Sequence, residues 1–156
     1  MTRLKACVTP IADRVAALDW SAIAGELDQR GAATTGPLLG AAECEALAGL
    51  YDEDAPFRSR IVMARHGFGS GEYKYLSYPL PPVVAELRAS LYLRLATVAT
   101  AWMARMGSDV SFPETHEAFL DRCHAAGQLR PTPLILRYGA GDYNCLHQDL
   151  YGPTVF

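Results

Sequence analysis

Apolar residues recur three and four apart through the first part of the chain, alternate with polar ones in the middle, and return to helical spacing before a final β-like stretch. Thr9-Pro10 reads as an N-cap followed by a residue pre-set for a first helical turn, and "ADRVAAL" and "DWSAIAGELDQR" continue with helical spacing until Gly31. One or two short helices are predicted there. "AATTGPLLG" reads as an extended or turn segment, and "AAECEALAGLYD" as another helix ahead of the Asp52-Glu53-Asp54-Ala55-Pro56 break. From Phe57 to Tyr78, Ile61 and Met63 alternate with polar neighbours, a glycine-rich tip follows, and Tyr73 and Tyr75 alternate in turn, which predicts two strands around a loop. Pro81-Pro82 opens a long helix whose Val84, Leu87, Leu91, Leu95, Val98 and Trp102 form an apolar stripe, the expected central packing helix. "PETHEAFLDRCHAAGQ" is a further amphipathic helix ending near Gly127, and "TPLILRY" and "YNCLHQDLY" are two strands joined around "GAGD".

Helices come mostly first and strands mostly last, which predicts an α+β domain. No repeat, low-complexity run or linker divides the chain, so residues 1–156 are read as a single domain. Half of the residues are apolar and a fifth charged, a composition that can bury a core and argues against disorder. The net charge of −3 gives no global attraction to nucleic acid or an anionic membrane, so such a partner needs a local basic patch. The longest apolar stretch is too short for a membrane span and carries Arg94 and Arg105, and the first residues lack a signal peptide's apolar run; no membrane partner and a cytoplasmic location are expected. Cys7, Cys44, Cys123 and Cys145 are scattered without a CxxC, which predicts reduced thiols.

The candidate chemistry lies at His147 and Asp149. On a strand, residues i and i+2 face the same side with Cα atoms roughly 7 Å apart, so an imidazole and a carboxylate would converge there. They would form two corners of the two-histidine, one-carboxylate triad that binds non-haem Fe(II), a second histidine coming from elsewhere. The plainer alternative is an exposed strand-end pair joined by water.

The flanking residues sharpen this. "RYGAGDYNCLHQD" resembles the HxD segment of the 2-oxoglutarate and Fe(II)-dependent oxygenases, and "LHQD" that of the bacterial alkylation-repair dioxygenases; Arg137, Tyr138, Gly141, Leu146, His147, Gln148 and Asp149 carry the resemblance. The stretch "MARHGFGSGEYKYLSYPLPPVVAELRASLYLRLATVATAW" is similar to a bacterial family of that superfamily associated with oxidation of damaged nucleic acid. The resemblance implies helices supporting the first strands of a double-stranded β-helix, or jelly roll. It implies Fe(II), 2-oxoglutarate and O₂ as cofactor and co-substrates, His147 and Asp149 as iron ligands, and Tyr138 as a hydrogen-bond donor to 2-oxoglutarate. Leu136 departs from the repair enzymes, which carry an asparagine there. In these folds the third ligand and a basic residue for 2-oxoglutarate follow the HxD, and none of His66, His116 or His124 has the right place in that order. The chain is therefore expected to be an N-terminal portion, inactive alone. In the intact family, hydroxylation of an N-methyl group releases formaldehyde and so reverses alkylation.

Arg58, Arg60, Arg65, Phe68, Tyr73, Lys74 and Tyr75 interleave cations with rings, the composition of grooves that hold phosphates and stack bases. Arg65, Tyr73, Lys74 and Tyr75 are the expected contacts to damaged single-stranded nucleic acid, against the simpler reading of a solvated hairpin with an aromatic core face. "GFGSG" leads towards an aromatic strand instead of opening a helix, so no nucleotide role is expected of it. Two further readings stay open: a protein or prolyl hydroxylase of the same superfamily, and a catalytically dead interaction module that self-associates through an unpaired sheet edge near "YGPTVF".

Overall fold

The computed structural model describes residues 9–148 and 152–154. The chain runs α1 (Ile11–Ala16), α2 (Trp20–Arg30), α3 (Ala41–Leu50), β1 (Phe57–Val62), a 3-10 turn (Met63–His66), β2 (Gly69–Ser70), β3 (Glu72–Leu76), α4 (Pro82–Arg105), α5 (His116–Ala125), β4 (Leu134–Arg137) and β5 (Tyr143–Asn144). This is a mixed helix and sheet fold of the α+β kind. None of the described helices is long and apolar enough to cross a membrane.

The helices start and stop where local chemistry dictates. Pro10, one residue later than expected, is the N-cap of α1, whose Ile11 and Val15 lie four apart and are both buried. Asp19 caps α2 by accepting a hydrogen bond from the Ala22 amide at 3.0 Å, and α2 ends at Gly31. Trp20 Nε1 donates to the Val15 carbonyl at 2.8 Å and fastens α2 to α1. Arg14 grips both carboxylate oxygens of Glu43 at 2.7 Å, which ties α3 back to α1.

The long helix begins with Pro82 in its first turn, as expected. It is not, however, a central core element. Ala96 is its one buried residue among those described, and Leu95 of the expected stripe is 41% exposed. The helix is a surface layer with α1 packed on it and with α5 reached through Tyr92, which stacks on Phe119 at 5.2 Å and donates from its hydroxyl to the Pro113 carbonyl at 2.8 Å. The best buried side chains are Met63, Leu76, Val15 and Cys123, spread over the turn after β1, the end of β3, α1 and α5. Cys44, Cys123 and Cys145 are free thiols, and Cys7 lies outside the described residues.

The main sheet is antiparallel in the order β1-β3-β4. Tyr73 pairs with Ile61 and Leu136, and Tyr75 with Ser59 and Leu134, so these six share one face. Lys74 pairs with Arg60 and Ile135, and Glu72 with Val62 and Arg137, on the other. Among the described residues, the two expected strands around "GAGD" do not pair with each other. β5 pairs instead with β2, as Gly69↔Asn144 and Ser70↔Tyr143, and forms a separate two-stranded sheet.

Candidate active site

The aromatic face of the sheet and the segment after β5 enclose a cavity of about 530 Å³, lined by Met63, Gly67, Phe68, Tyr73, Tyr75, Leu134, Leu136 and residues 144–148. That volume lies within the range of roughly 300–1,000 Å³ typical of small-molecule sites. The lining is aromatic, aliphatic and amide, with the sulfur atoms of Met63 and Cys145, His147 as the one titratable nitrogen base and no carboxylate or guanidinium among its described members.

His147 is exposed, and it follows β5 instead of lying on a strand. The strand alternation expected to aim it together with Asp149 therefore does not apply at His147, and Asp149 itself lies outside the described residues. What orients the ring is local: Nδ1 lies 2.8 Å from the carbonyl oxygen of Cys145, two residues back. A carbonyl only accepts, so in the neutral imidazole Nδ1 carries the proton and Nε2 the lone pair. Metal-binding histidines use this same arrangement.

The glycine-rich loop holds this segment in place. Cys145 N donates to the Phe68 carbonyl at 2.9 Å, Ser70 donates its hydroxyl to Asp142, and Asp142 also accepts from the Gly139 amide at 2.8 Å. The Ser70 bond comes first among the causes that hold the Asp142 carboxyl below its usual range. A Cβ on Gly69, at φ 122°, would sit 2.2 Å from the Tyr143 carbonyl; one on Gly71, at φ 117°, would sit 2.8 Å from the Tyr138 ring. "GFGSG" is thus more than the tip between two strands. It is the seat of the histidine segment, a role that the sequence signals only by three glycines at alternate positions just ahead of the tyrosine strand.

The remaining predicted residues separate. Tyr73 and Tyr75 line the cavity, their rings 5.4 Å apart edge to face. Lys74 does not join them: period-two alternation turns it to the opposite face, where it is 8% exposed and donates to the carbonyls of Tyr51 at 2.8 Å and Glu53 at 3.2 Å and to Asp54 at 3.2 Å. Arg65 is exposed on the 3-10 turn beside the lining residues Met63 and Gly67. Tyr138 lies outside the cavity, in a second depression with Gly71, Glu72, Arg137, Gly139 and Asp142.

That second face is an ion-pair layer. Arg60 Nε donates to Glu72 at 2.7 Å, Arg137 reaches the other oxygen of the same carboxylate and also Asp52, and the Arg137 guanidinium lies 4.4 Å from the centroid of the Tyr51 ring. Burial alone raises the Glu72 pKa, but the hydrogen bond from Arg60 and the charges of Arg137 and Arg60 outweigh it and hold the carboxyl below its usual range. The sheet therefore separates a face of paired charges from an aromatic face whose cavity has no carboxylate or guanidinium in its described lining.

Residues 71–156 match the model of a family described as an oxygenase catalysing oxidative methylation of damaged DNA. The match covers more than half of the chain, and the chain belongs to this family. It includes β3, β4, β5 and His147, while the turn before β3 and all of β1 precede it. Two uncharacterized proteins of Mycobacterium tuberculosis, one from strain CDC 1551 / Oshkosh and one from strain H37Rv, are each 46% identical over 78 residues, which is 50% of this chain and 34% of theirs. The chain thus matches about a third of the length of these relatives. No solved structure matches.

Proposed function

We propose that this oxygenase depends on Fe(II) and 2-oxoglutarate and oxidises alkylated bases in single-stranded DNA, with His147 and Asp149 as metal ligands and the aromatic cavity as the base pocket. The observation that carries the reading is the His147 ring at the cavity, its Nδ1 tied to the Cys145 carbonyl so that Nε2 presents a lone pair. The donor chemistry at His147 fits such a metal. Among the described residues no three His, Cys, Asp or Glu side chains come together, so they account for one ligand, and Asp149 is assigned by its place in the HxD segment.

The chemistry that bound Fe(II) and 2-oxoglutarate supply is hydroxylation of a C–H bond by O₂, with succinate and CO₂ as co-products. The chain's own residues bind and orient. Tyr73 and Tyr75 offer ring faces and edges to a base, while Met63, Leu134 and Leu136 keep one wall apolar and limit water. The uncharged lining admits a neutral base without a carboxylate to repel the neighbouring phosphate. A hydroxylated N-methyl group collapses to formaldehyde and the parent base, so oxygen chemistry on a methylated base runs towards removal of the methyl. Tyr138, expected to donate a hydrogen bond to 2-oxoglutarate, lies outside this cavity in the depression beside Glu72 and Asp142.

Incubation with Fe(II), 2-oxoglutarate, O₂ and an N-methylated single-stranded oligonucleotide tests the reading, in a protein that spans the full length of the relatives of which this chain matches about a third. Formaldehyde and succinate should appear in equal amounts. Succinate formation coupled to a hydroxylated peptide, with no formaldehyde from the oligonucleotide, would contradict it in favour of a protein hydroxylase.

A further inference from the structure

The register of β1 against β3 contains a β-bulge. Phe57 pairs with Leu76 and Ser59 with Tyr75, so Arg58 is an extra residue with no partner of its own in the ladder. Simple alternation would send Arg58 to the face of Arg60, beside Glu72. The bulge turns it the other way: its guanidinium lies 4.4 Å from the centroid of Tyr75, a ring of the cavity wall. Its Nε donates to the Pro131 carbonyl at 3.2 Å, which fixes the plane of the group and leaves the terminal nitrogens to serve another acceptor.

Arg58 also differs from the other cations of the sheet in its electrostatic company. Arg60 and Arg137 share Glu72, and Lys74 pairs with Asp54. Among the described residues no carboxylate forms an ion pair with Arg58. The cavity that it borders through Tyr75 has no carboxylate in its described lining either. An oriented, unneutralised guanidinium against a ring that can stack a base matches one ligand geometry: a phosphate adjoining that base.

We propose that Arg58 binds a backbone phosphate of single-stranded DNA beside the base held by Tyr73 and Tyr75. This rests on the proposed function, since it takes nucleic acid as the substrate. Arg58 is a binding residue; it neither touches the metal nor moves a proton.

Binding of an unmodified single-stranded oligonucleotide, followed by fluorescence anisotropy across a salt series, tests it. Wild type should show a linear fall of log affinity with log salt. Arg58→Gln should bind more weakly, with a slope shallower by about 0.7, the share of one phosphate contact on a single strand. Arg58→Lys, which keeps the charge and loses the planar fork, should keep the slope while losing affinity. Arg30→Gln, at the end of α2 and exposed, should match wild type and so exclude a simple net-charge effect. An unchanged slope in Arg58→Gln, or an equal loss in Arg30→Gln, would overturn the assignment of Arg58 while the DNA reading stands. An increased KM for 2-oxoglutarate in Arg58→Gln with an unchanged slope would likewise overturn it, in favour of a co-substrate carboxylate contact. No binding by wild type at any salt would overturn both.

Discussion

The imidazole of His147 and the backbone carbonyl of Cys145 form a 2.8 Å hydrogen bond through Nδ1. The neutral ring should therefore be the Nδ1-protonated tautomer. Long-range proton–nitrogen NMR correlations of the labelled imidazole would check this, with Nε2 showing the shift of an unprotonated nitrogen.

Gly69 should be much less replaceable than Gly67. Both have positive φ, but a Cβ at Gly69 meets the Tyr143 carbonyl, whereas one at Gly67 meets nothing within 4 Å. Gly67→Ala should cost about 1 kcal/mol from the left-handed backbone alone. Gly69→Ala should cost about 3 kcal/mol or separate β2 from β5. Urea denaturation gives the two stabilities, and amide exchange at Cys145, which donates to the Phe68 carbonyl, reports whether the seat of the histidine segment has opened.

Lys74 is a structural cation. Its ammonium group satisfies two backbone carbonyls and Asp54 from a buried position, so Lys74→Ala should destabilise the fold by about 2–3 kcal/mol. The salt dependence of oligonucleotide binding by the folded variant should be that of wild type. A shallower slope would return Lys74 to the phosphate-binding role.

Tyr73→Leu keeps the volume of the wall apolar and removes the ring. If a base stacks in the cavity, oligonucleotide affinity should fall by about 1–3 kcal/mol, with the salt slope unchanged, because stacking releases no counterions.

The helical layer should show an acid-sensitive contact between α1 and α3. The hydrogen bond from Arg14, with a second from the Gly40 amide, lowers the Glu43 carboxyl from its ordinary 4.5 to about 2. A carboxyl whose folded pKa is depressed stabilises the fold above its unfolded value and loses that contribution as pH falls through the window from about 4.5 to about 2. Glu43→Gln should remove this part of the pH dependence of the urea midpoint, leaving that of the other carboxyls held low, Asp28, Glu72 and Asp142.

Local patterns explain why much of this fold could be anticipated. The Asp19 cap and Gly31 bound α2, Pro82 starts α4, and the alternation at Tyr73 and Tyr75 marks β3 and identifies which residues share its face. The same alternation separates Lys74 from the tyrosines, which composition alone groups together. What sequence pattern could not supply is long-range. The bulge that redirects Arg58 depends on the register of β1 against β3, and the pairing of β5 with β2 depends on a close approach made possible by Gly69. The apolar stripe of α4 marks a face without saying how much of it other elements cover, and Leu95 remains open. The HxD segment singles out His147, but the position of its ring after β5, with Nδ1 on the Cys145 carbonyl, is not the strand geometry that the pattern suggests.

The most direct test of the account is a titration of the isotope-labelled protein with Co(II), an oxygen-stable stand-in for Fe(II), followed by amide and imidazole NMR. Paramagnetic shifts and broadening should centre on His147 and its neighbours Cys145 to Gln148, and His147→Ala should abolish them while the rest of the spectrum keeps its folded dispersion. Perturbations centred elsewhere, or equally strong in His147→Ala, would contradict His147 as a metal ligand.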